Sequence, residues 1–384
     1  MIDTSFLNEF YEYAKITPKT KFENGDINDI LQNGLAFGKQ FYGDDSDFIA
    51  EIKSMSQCGT LVLDNPYVHT TIKYLSHDIH DYKYIALITH VLNIILMLKK
   101  IHKNPLTIYV YLTNARRTVD EEIIYTSKEH IDRSDFIKTL RKKSRGFTVG
   151  GITYEAGSRD IPTEEDNKQM IILTKKEGLI NLAIHEIHHY LANASTADYP
   201  DKINKIGDIQ FPVLMKSTID MMPWQVRNSE IYCESFGILY TSAYYAYLMS
   251  TNDMIEFVNK YTEIVNDELQ YTYFLSSKII VHFDIEQNDI YKFFHKGTEK
   301  PLYKNYQTII PIQEYVFYRA LFLKNLINNI TFLDFASLST DVLSNKVTEM
   351  YPHINRNDNN YAYMNHLLTT TDETQFWHID KIYN

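Results

Sequence analysis

The sequence predicts an α+β protein that is mostly helical and carries a small mixed sheet. Of its 384 residues, 44% are hydrophobic, which is enough apolar surface for packed domains. Gly and Pro are scarce, at 13 and 10 residues, as expected for a chain rich in helices. A β-branched and aromatic segment at 107–112, followed by the turn-forming Asn114, interrupts long stretches of helical periodicity and indicates the sheet.

The predicted elements divide the chain into three parts. Residues 1–103 are predicted to be a helical N-terminal domain, 104–222 to hold the sheet and a central helix, and 223–384 to be a helical C-terminal part. The helices predicted before residue 104 are at 4–15, 27–41, 47–55, 68–75 and 83–101. The elements predicted in the second part are strands at 107–112, 147–154 and 170–174 and helices at 135–142 and 177–194.

Charge and composition argue against several classes of protein. The chain has 38 Lys and Arg against 49 Asp and Glu, a net charge of −11, which repels phosphate backbones, so we expect no nucleic-acid partner. Two cysteines cannot build a disulfide scaffold, so we expect the cytoplasm or another reducing compartment. The N-terminus shows no signal-peptide pattern. The most apolar segment, at 84–98, is short and interrupted by polar residues, so we expect a core helix and no membrane span.

The helix predicted at 177–194 contains an H-E-x-x-H motif, and this motif carries the chemistry. Residues four apart share one helix face, so the imidazoles of His185 and His189 can converge on one metal ion. The carboxylate of Glu186 is then placed to take a proton from a water whose pKa the metal lowers to about 7. His188 points about 100° away from His189 and is expected to pack or hydrogen-bond beside the cleft.

Catalytic zinc usually takes three protein ligands, so a third must lie elsewhere. The residues directly after the motif contain no further His. Farther along, Glu230 and Glu234 lie four apart in a segment with helical periodicity. Like charges at this spacing repel mildly unless a cation lies nearby, which favours a metal site. The plain alternative is an exposed pair of carboxylates on an ordinary helix.

Together the two motifs resemble the gluzincin clan of zinc metallopeptidases, over residues 105–250 at most. The resemblance implies one Zn²⁺ bound by His185, His189 and Glu230, with Glu186 as the general base. It also implies a zincin-type arrangement, in which the mixed sheet lies beside the H-E-x-x-H helix. The segment with the sheet would be the zincin N-subdomain, and the C-terminal part would supply the Glu ligand.

The resemblance gives Glu234 the role of accepting a hydrogen bond from a zinc-bound histidine, as a Glu does in lethal-factor-like peptidases. Cys233 and Gly237 occupy places where thermolysin-like and related members have a small residue and a Gly. A ligating His needs its second ring N–H satisfied, and a carboxylate one helical turn beyond the Glu ligand is placed for that. An exchange of roles between Glu230 and Glu234 is the alternative.

Amide hydrolysis also needs a donor for the developing oxyanion, which the sequence does not assign. Thermolysin-like members use a downstream His, so the resemblance makes His282 one candidate, with Tyr244 and Tyr245 as others. The strand at 170–174 is expected to be a sheet edge that pairs with an extended polypeptide substrate, with an internal strand as the alternative.

Three functions are consistent with these patterns. The leading prediction is a zinc-dependent metalloendopeptidase. The alternative is a catalytically inactive zincin-like protein with a structural or partner-binding role. A third interpretation is a chance motif in an all-helical interaction protein. Residues 1–103 would cover the cleft, bind a protein partner or inhibit the enzyme.

Overall fold

The computed structural model describes residues 4–102, 104–114, 151–154, 169–176, 178–192, 228–282, 319–320 and 323–324. Within these ranges the chain forms seven α-helices and one six-stranded mixed sheet. The predicted fold class, a mostly helical α+β protein with a small mixed sheet, is confirmed.

The helices are α1 (Thr4–Ala14), α2 (Ile27–Phe41), α3 (Asp47–Ser54), α4 (Tyr82–Lys99), α5 (Leu179–Ala192), α6 (Asn228–Met249) and α7 (Met254–His282). The strands are β1 (Thr20–Glu23), β2 (Gln57–Leu63), β3 (Thr70–Ser76), β4 (Leu106–Tyr111), β5 (Gly151–Tyr154) and β6 (Gln169–Leu173). Helix α2 begins where the Asp26 side chain accepts hydrogen bonds from two backbone N–H groups, and α3 begins where the Ser46 hydroxyl accepts one from the N–H of Ile49.

The strands lie in the order β1-β2-β3-β4-β6-β5. Strands β3, β4 and β6 run parallel to one another, and the strands on either side of them pair antiparallel. The short strand β5 therefore forms one edge of the described sheet. It lies next to α5, the helix that carries the H-E-x-x-H motif.

Helices cover both faces of the sheet, and strand β4 shows why. Ile108 and Val110 belong to the larger apolar core, which α1, α4, α5, α6 and α7 share. Tyr109 and Tyr111 belong to a second core, formed with α2 and α3. A strand buried on both faces carries apolar side chains at successive positions, as this strand does.

The helix predicted at 68–75 is wrong, because this segment is strand β3. Its buried residues alternate along the chain, with Thr70, Ile72 and Tyr74 buried and the two residues between them half-buried. That is the two-residue period of a sheet face. The apolar residues Val68, Ile72 and Leu75 also fit helical spacing, and this spacing produced the error.

The prediction of an all-helical segment 1–103 is corrected accordingly, since β1, β2 and β3 all come from it. The predicted boundary at 103/104 falls between β3 and β4, which pair in parallel within one sheet. The strand predicted at 170–174 is internal, because β6 lies between β4 and β5, so the expectation of an edge there is wrong. The helix predicted at 135–142 lies outside the described residues.

Helix α4, with the short turn before it, is long and apolar enough to cross a membrane by length and composition alone. The core helix of a soluble protein meets the same test. In this structure 56% of its apolar window is buried inside the protein, where it packs against α1 and α5.

Candidate metal centre

Helix α5 presents the motif to the interior of the molecule. It begins directly after Gly178, whose backbone has φ +62°, a left-handed conformation that glycine adopts without steric cost. One face of the helix, including Ile180, Ile184 and Ile187, is buried in the larger core. Strand β5 and helix α6 both pack against α5. The motif therefore lies between the sheet edge and a second helix.

The two motif histidines point at each other. The Nε2 atoms of His185 and His189 are 3.1 Å apart, and their ring centroids are 4.8 Å apart. His185 is only 6% exposed, whereas His189 is half-buried. The two rings therefore meet at their Nε2 ends, with His185 buried and His189 half-buried.

The other nitrogen of His185 faces a carboxylate on α6. Its Nδ1 atom lies 3.3 Å from Oε2 of Glu234, longer than the 2.7–2.9 Å typical of a charge-assisted hydrogen bond. The second oxygen of Glu234 pairs with the guanidinium of Arg319, which is itself buried. The carboxylate favours the tautomer with the proton on Nδ1, and this tautomer leaves the lone pair of His185 on Nε2.

The charge state of Glu234 follows from these neighbours. Burial by itself raises the pKa of this carboxyl. The nearby His185 ring and the positive charge of Arg319 outweigh burial, so the pKa lies below its ordinary value. Glu234 is therefore ionised at neutral pH although it is buried.

Glu186 points to the sheet edge. It is 5% exposed, and its Oε2 atom accepts a hydrogen bond of 2.7 Å from the hydroxyl of Thr153 on β5. The same hydroxyl lies 2.9 Å from the backbone carbonyl oxygen of Glu186. A Cβ atom added to Gly151 would lie 3.0 Å from both Cγ and Oε1 of Glu186. The Glu186 carboxylate therefore occupies space that a side chain at position 151 would fill.

Helices α5 and α6 approach closely at Gly237. A Cβ atom there would lie 3.1 Å from Oδ1 of Asn181 and 3.7 Å from Cβ of His185. One turn later, the hydroxyl of Thr241 lies 3.3 Å from the same Asn181 oxygen. Cys233, on the same helix, is fully buried. The absence of a side chain at Gly237 therefore permits the close approach of the helix with the histidines and the helix with Glu234.

The third histidine of the motif segment has a different environment. His188 is fully buried, packs against Phe236 and Tyr240, and its Nδ1 lies 2.7 Å from the carbonyl oxygen of Ile184. Burial lowers the pKa of His188 well below its ordinary value, and the charge of Lys99 lowers it further. His188 therefore packs and hydrogen-bonds, as expected, but inside the core.

Two of the predicted oxyanion donors lie in the core. The hydroxyl of Tyr244 lies 3.1 Å from Nδ1 of His90 and 3.4 Å from the carbonyl oxygen of Leu87, both on α4. Tyr245 is also buried, with its ring 6.3 Å from that of Tyr244. His282 is the last residue of α7, and its side chain lies outside the described residues. The structure does not bring Tyr244 to the histidine pair.

Glu230 lies in the first turn of α6, and its side chain is outside the described residues. Among the side chains that are described, no group of three or more His, Cys, Asp or Glu residues is arranged to hold a metal ion. The described part of the centre therefore consists of two histidines with a carboxylate behind one of them.

Sequence reasoning missed two residues of this centre, Arg319 and Thr153. Arg319 lies 85 positions beyond its partner Glu234, and no local pattern connects them. Thr153 left a weak signal, because a glycine inside a predicted strand, here Gly151, often marks a close approach of another group.

Comparison with known proteins gives little guidance to function. No protein-family model matches the sequence, and no solved structure matches it. Over 245 residues the chain is 25% identical to an uncharacterized protein of Acanthamoeba polyphaga mimivirus. The match covers 63% of this chain and 55% of the viral protein, so the chain spans about half the length of that relative.

Proposed function

We propose that this protein is a zinc-dependent metalloendopeptidase in which Glu186 acts as the general base. One observation carries the proposal: the Nε2 atoms of His185 and His189 lie 3.1 Å apart. Two nitrogens bound to one tetrahedral zinc at about 2.0–2.1 Å would be about 3.3 Å apart. The two imidazoles therefore need little movement to share an ion.

The surroundings of His185 fit a metal ligand. A zinc-bound histidine generally donates its other ring N–H to a carboxylate, which fixes the tautomer and orients the ring. The Glu234 carboxylate lies 3.3 Å from Nδ1 of His185 and is itself paired with Arg319. Because Glu234 faces Nδ1 and not Nε2, its position supports the role of hydrogen-bond acceptor over that of ligand.

Glu230 is the proposed third ligand. Its support is the sequence spacing, since it lies one helical turn before Glu234 in α6. With His185 and His189 it would complete the two-histidine, one-glutamate set of several catalytic zinc sites. That set leaves one coordination position open, which a structural zinc site does not.

The chemistry then divides between the ion and the chain. Zinc in such a set is a Lewis acid that polarises a carbonyl and lowers the pKa of water to about 7. Glu186, held by Thr153 and next to His185, accepts a proton at its carboxylate and returns it to the leaving amine. Strand β5, at the edge of the described sheet, lies next to Glu186 and offers backbone groups to an extended polypeptide.

The replacement Glu186→Gln tests the proposal, because it removes the proton acceptor and keeps the shape of the side chain. We expect cleavage of a labelled unfolded protein to fall by at least a hundredfold, with zinc content by elemental analysis unchanged. Glu263→Gln is the matched control, since Glu263 is exposed and pairs with Lys260 across one turn of α7. Full activity of Glu186→Gln would refute the assignment of the base.

The alternative, an inactive zincin-like protein with a structural metal site, is favoured by the placement of Tyr244 in the core, away from the histidine pair. The same assay separates the two functions. Chelator-sensitive cleavage by the unaltered protein supports the enzyme, whereas a zinc-loaded protein that cleaves nothing supports the structural role.

A further inference from the structure

We propose that Thr153 is a positioning residue that fixes the carboxylate of Glu186 for proton transfer; this inference rests on the proposed function. Thr153 lies on the edge strand β5, and Glu186 on α5, so the contact joins two elements that are 33 residues apart in the chain.

One hydroxyl holds Glu186 at two points. The Oγ1 atom of Thr153 is 2.7 Å from Oε2 of Glu186 and 2.9 Å from its backbone carbonyl oxygen. Both partners are acceptors and the hydroxyl has one proton, so Oε2, at the shorter distance, takes the main hydrogen bond. The backbone carbonyl oxygen shares the same proton in a three-centre bond.

The strand also shapes the space around the carboxylate. Gly151 and Thr153 lie two residues apart and therefore on the same face of β5. A side chain at Gly151 would lie 3.0 Å from Oε1 of Glu186 and 3.1 Å from Cδ1 of Leu182. The face is thus open at position 151 and carries a donor at position 153. The Glu186 carboxylate can therefore lie against Gly151 while Thr153 donates a hydrogen bond to one of its oxygens.

Fixing one oxygen has a catalytic consequence. A general base works best when the accepting oxygen is held at hydrogen-bond distance from the proton it takes, and a displacement of about 1 Å can cost about a hundredfold in rate. With Oε2 held by Thr153, the position of Oε1 is fixed by the geometry of the carboxylate. Without the hydroxyl, the buried carboxylate can rotate about its last bonds.

Thr153→Val, which has nearly the same shape but no hydroxyl, is the first variant. We expect kcat on a peptide substrate to fall about 10- to 100-fold, with KM and zinc content unchanged. Thr153→Ser keeps the hydroxyl and should restore most of kcat. Equal losses in the Ser and Val variants would show that packing of the methyl group, not the hydroxyl, is what matters, and would overturn the proposal.

A second measurement does not depend on the loaded enzyme. Urea unfolding in chelator of the unaltered protein, Thr153→Val, Glu186→Met and the double variant forms a double-mutant cycle, because Met has no oxygen to accept the hydroxyl proton. We expect a coupling between the two side chains of about tenfold in the unfolding equilibrium constant, because hydrogen bonds to charged groups are the stronger ones. Should Thr153→Val not fold, Thr153→Ala takes its place. Additive effects would overturn the proposal.

The experiments distinguish a failure of the proposed function from a failure of the role given to Thr153. If the unaltered protein cleaves nothing, or if Glu186→Gln is fully active, the proposed function itself is refuted. If Glu186→Gln is inactive while Thr153→Val keeps the kcat of the unaltered protein, only the role of Thr153 is refuted.

Discussion

Replacing Arg319 by Met should strongly destabilise the fold, because it removes the cation that faces the buried Glu234. The side chains of Arg319 and Glu234 are only 9% and 13% exposed, so water cannot replace the lost partner. Breaking a buried ion pair in this way costs about 3–5 kcal/mol. His185 still faces the other oxygen of Glu234, so we expect a loss near 3 kcal/mol, roughly a hundredfold in the unfolding equilibrium constant.

The loss should depend on pH, with a sign that follows from Glu234. Its pKa lies below the ordinary value of 4.5 in the folded protein, despite the opposing effect of burial, because of His185 and Arg319. A lowered folded-state pKa gives stability that is present above pH 4.5 and is lost as the pH falls through the folded-state value. Once Glu234 is protonated, Arg319→Met should cost much less.

Urea unfolding in chelator at pH 7 and at successively lower pH measures this prediction without a contribution from the metal. The matched control is Lys260→Met, which breaks the exposed pair of Lys260 with Glu263 and should leave stability unchanged. The double variant Glu234→Gln/Arg319→Met should be more stable than Arg319→Met alone, because no unpaired charge is left buried. A loss at pH 7 no greater than that of Lys260→Met would refute the reasoning.

Three further predictions concern the metal, the helix packing and the half-buried Lys99. Zinc at 100 times its dissociation constant should stabilise the folded protein by about 2.7 kcal/mol. Removing the zinc with a chelator should therefore lower the midpoint of thermal unfolding, and an unchanged midpoint would contradict zinc binding. Gly237→Val should cost about 1–3 kcal/mol in urea unfolding, because the added carbons meet Asn181, and a neutral effect would contradict the close helix approach. Burial lowers the pKa of Lys99 from 10.5 to about 8. Between these two pH values the unfolded chain binds more protons than the folded protein, so the free energy of unfolding should rise with pH. Lys99→Met should abolish that rise in urea unfolding, and a rise that persists in this variant would contradict the lowered pKa.

The helices were the most predictable part of the fold. Helices α1 to α5 lie within a few residues of their predicted bounds, since each places apolar residues on one face at helical spacing. Strand β3 was missed because its apolar residues satisfy both a helical and a two-residue period over a short segment. Only its pairing with β2 and β4 decides between the two, and pairing partners are not encoded locally.

The candidate site was also predictable only in part. The spacing within one helix predicted that His185 and His189 converge, because four residues make about one helical turn. The contact of Glu234 with His185 needed two helices to meet, and the resemblance to gluzincins supplied that expectation. Arg319 reaches the site from a distant segment that no short motif connects to Glu234, and Thr153 left only the weak signal of Gly151 in its strand.

The most direct test of a zinc centre is an anomalous difference map, collected at the zinc absorption edge, from crystals grown with zinc. We expect one peak, at about 2.0–2.1 Å from the Nε2 atoms of both His185 and His189. A peak elsewhere in the molecule, with these two nitrogens in contact only with each other, would contradict it.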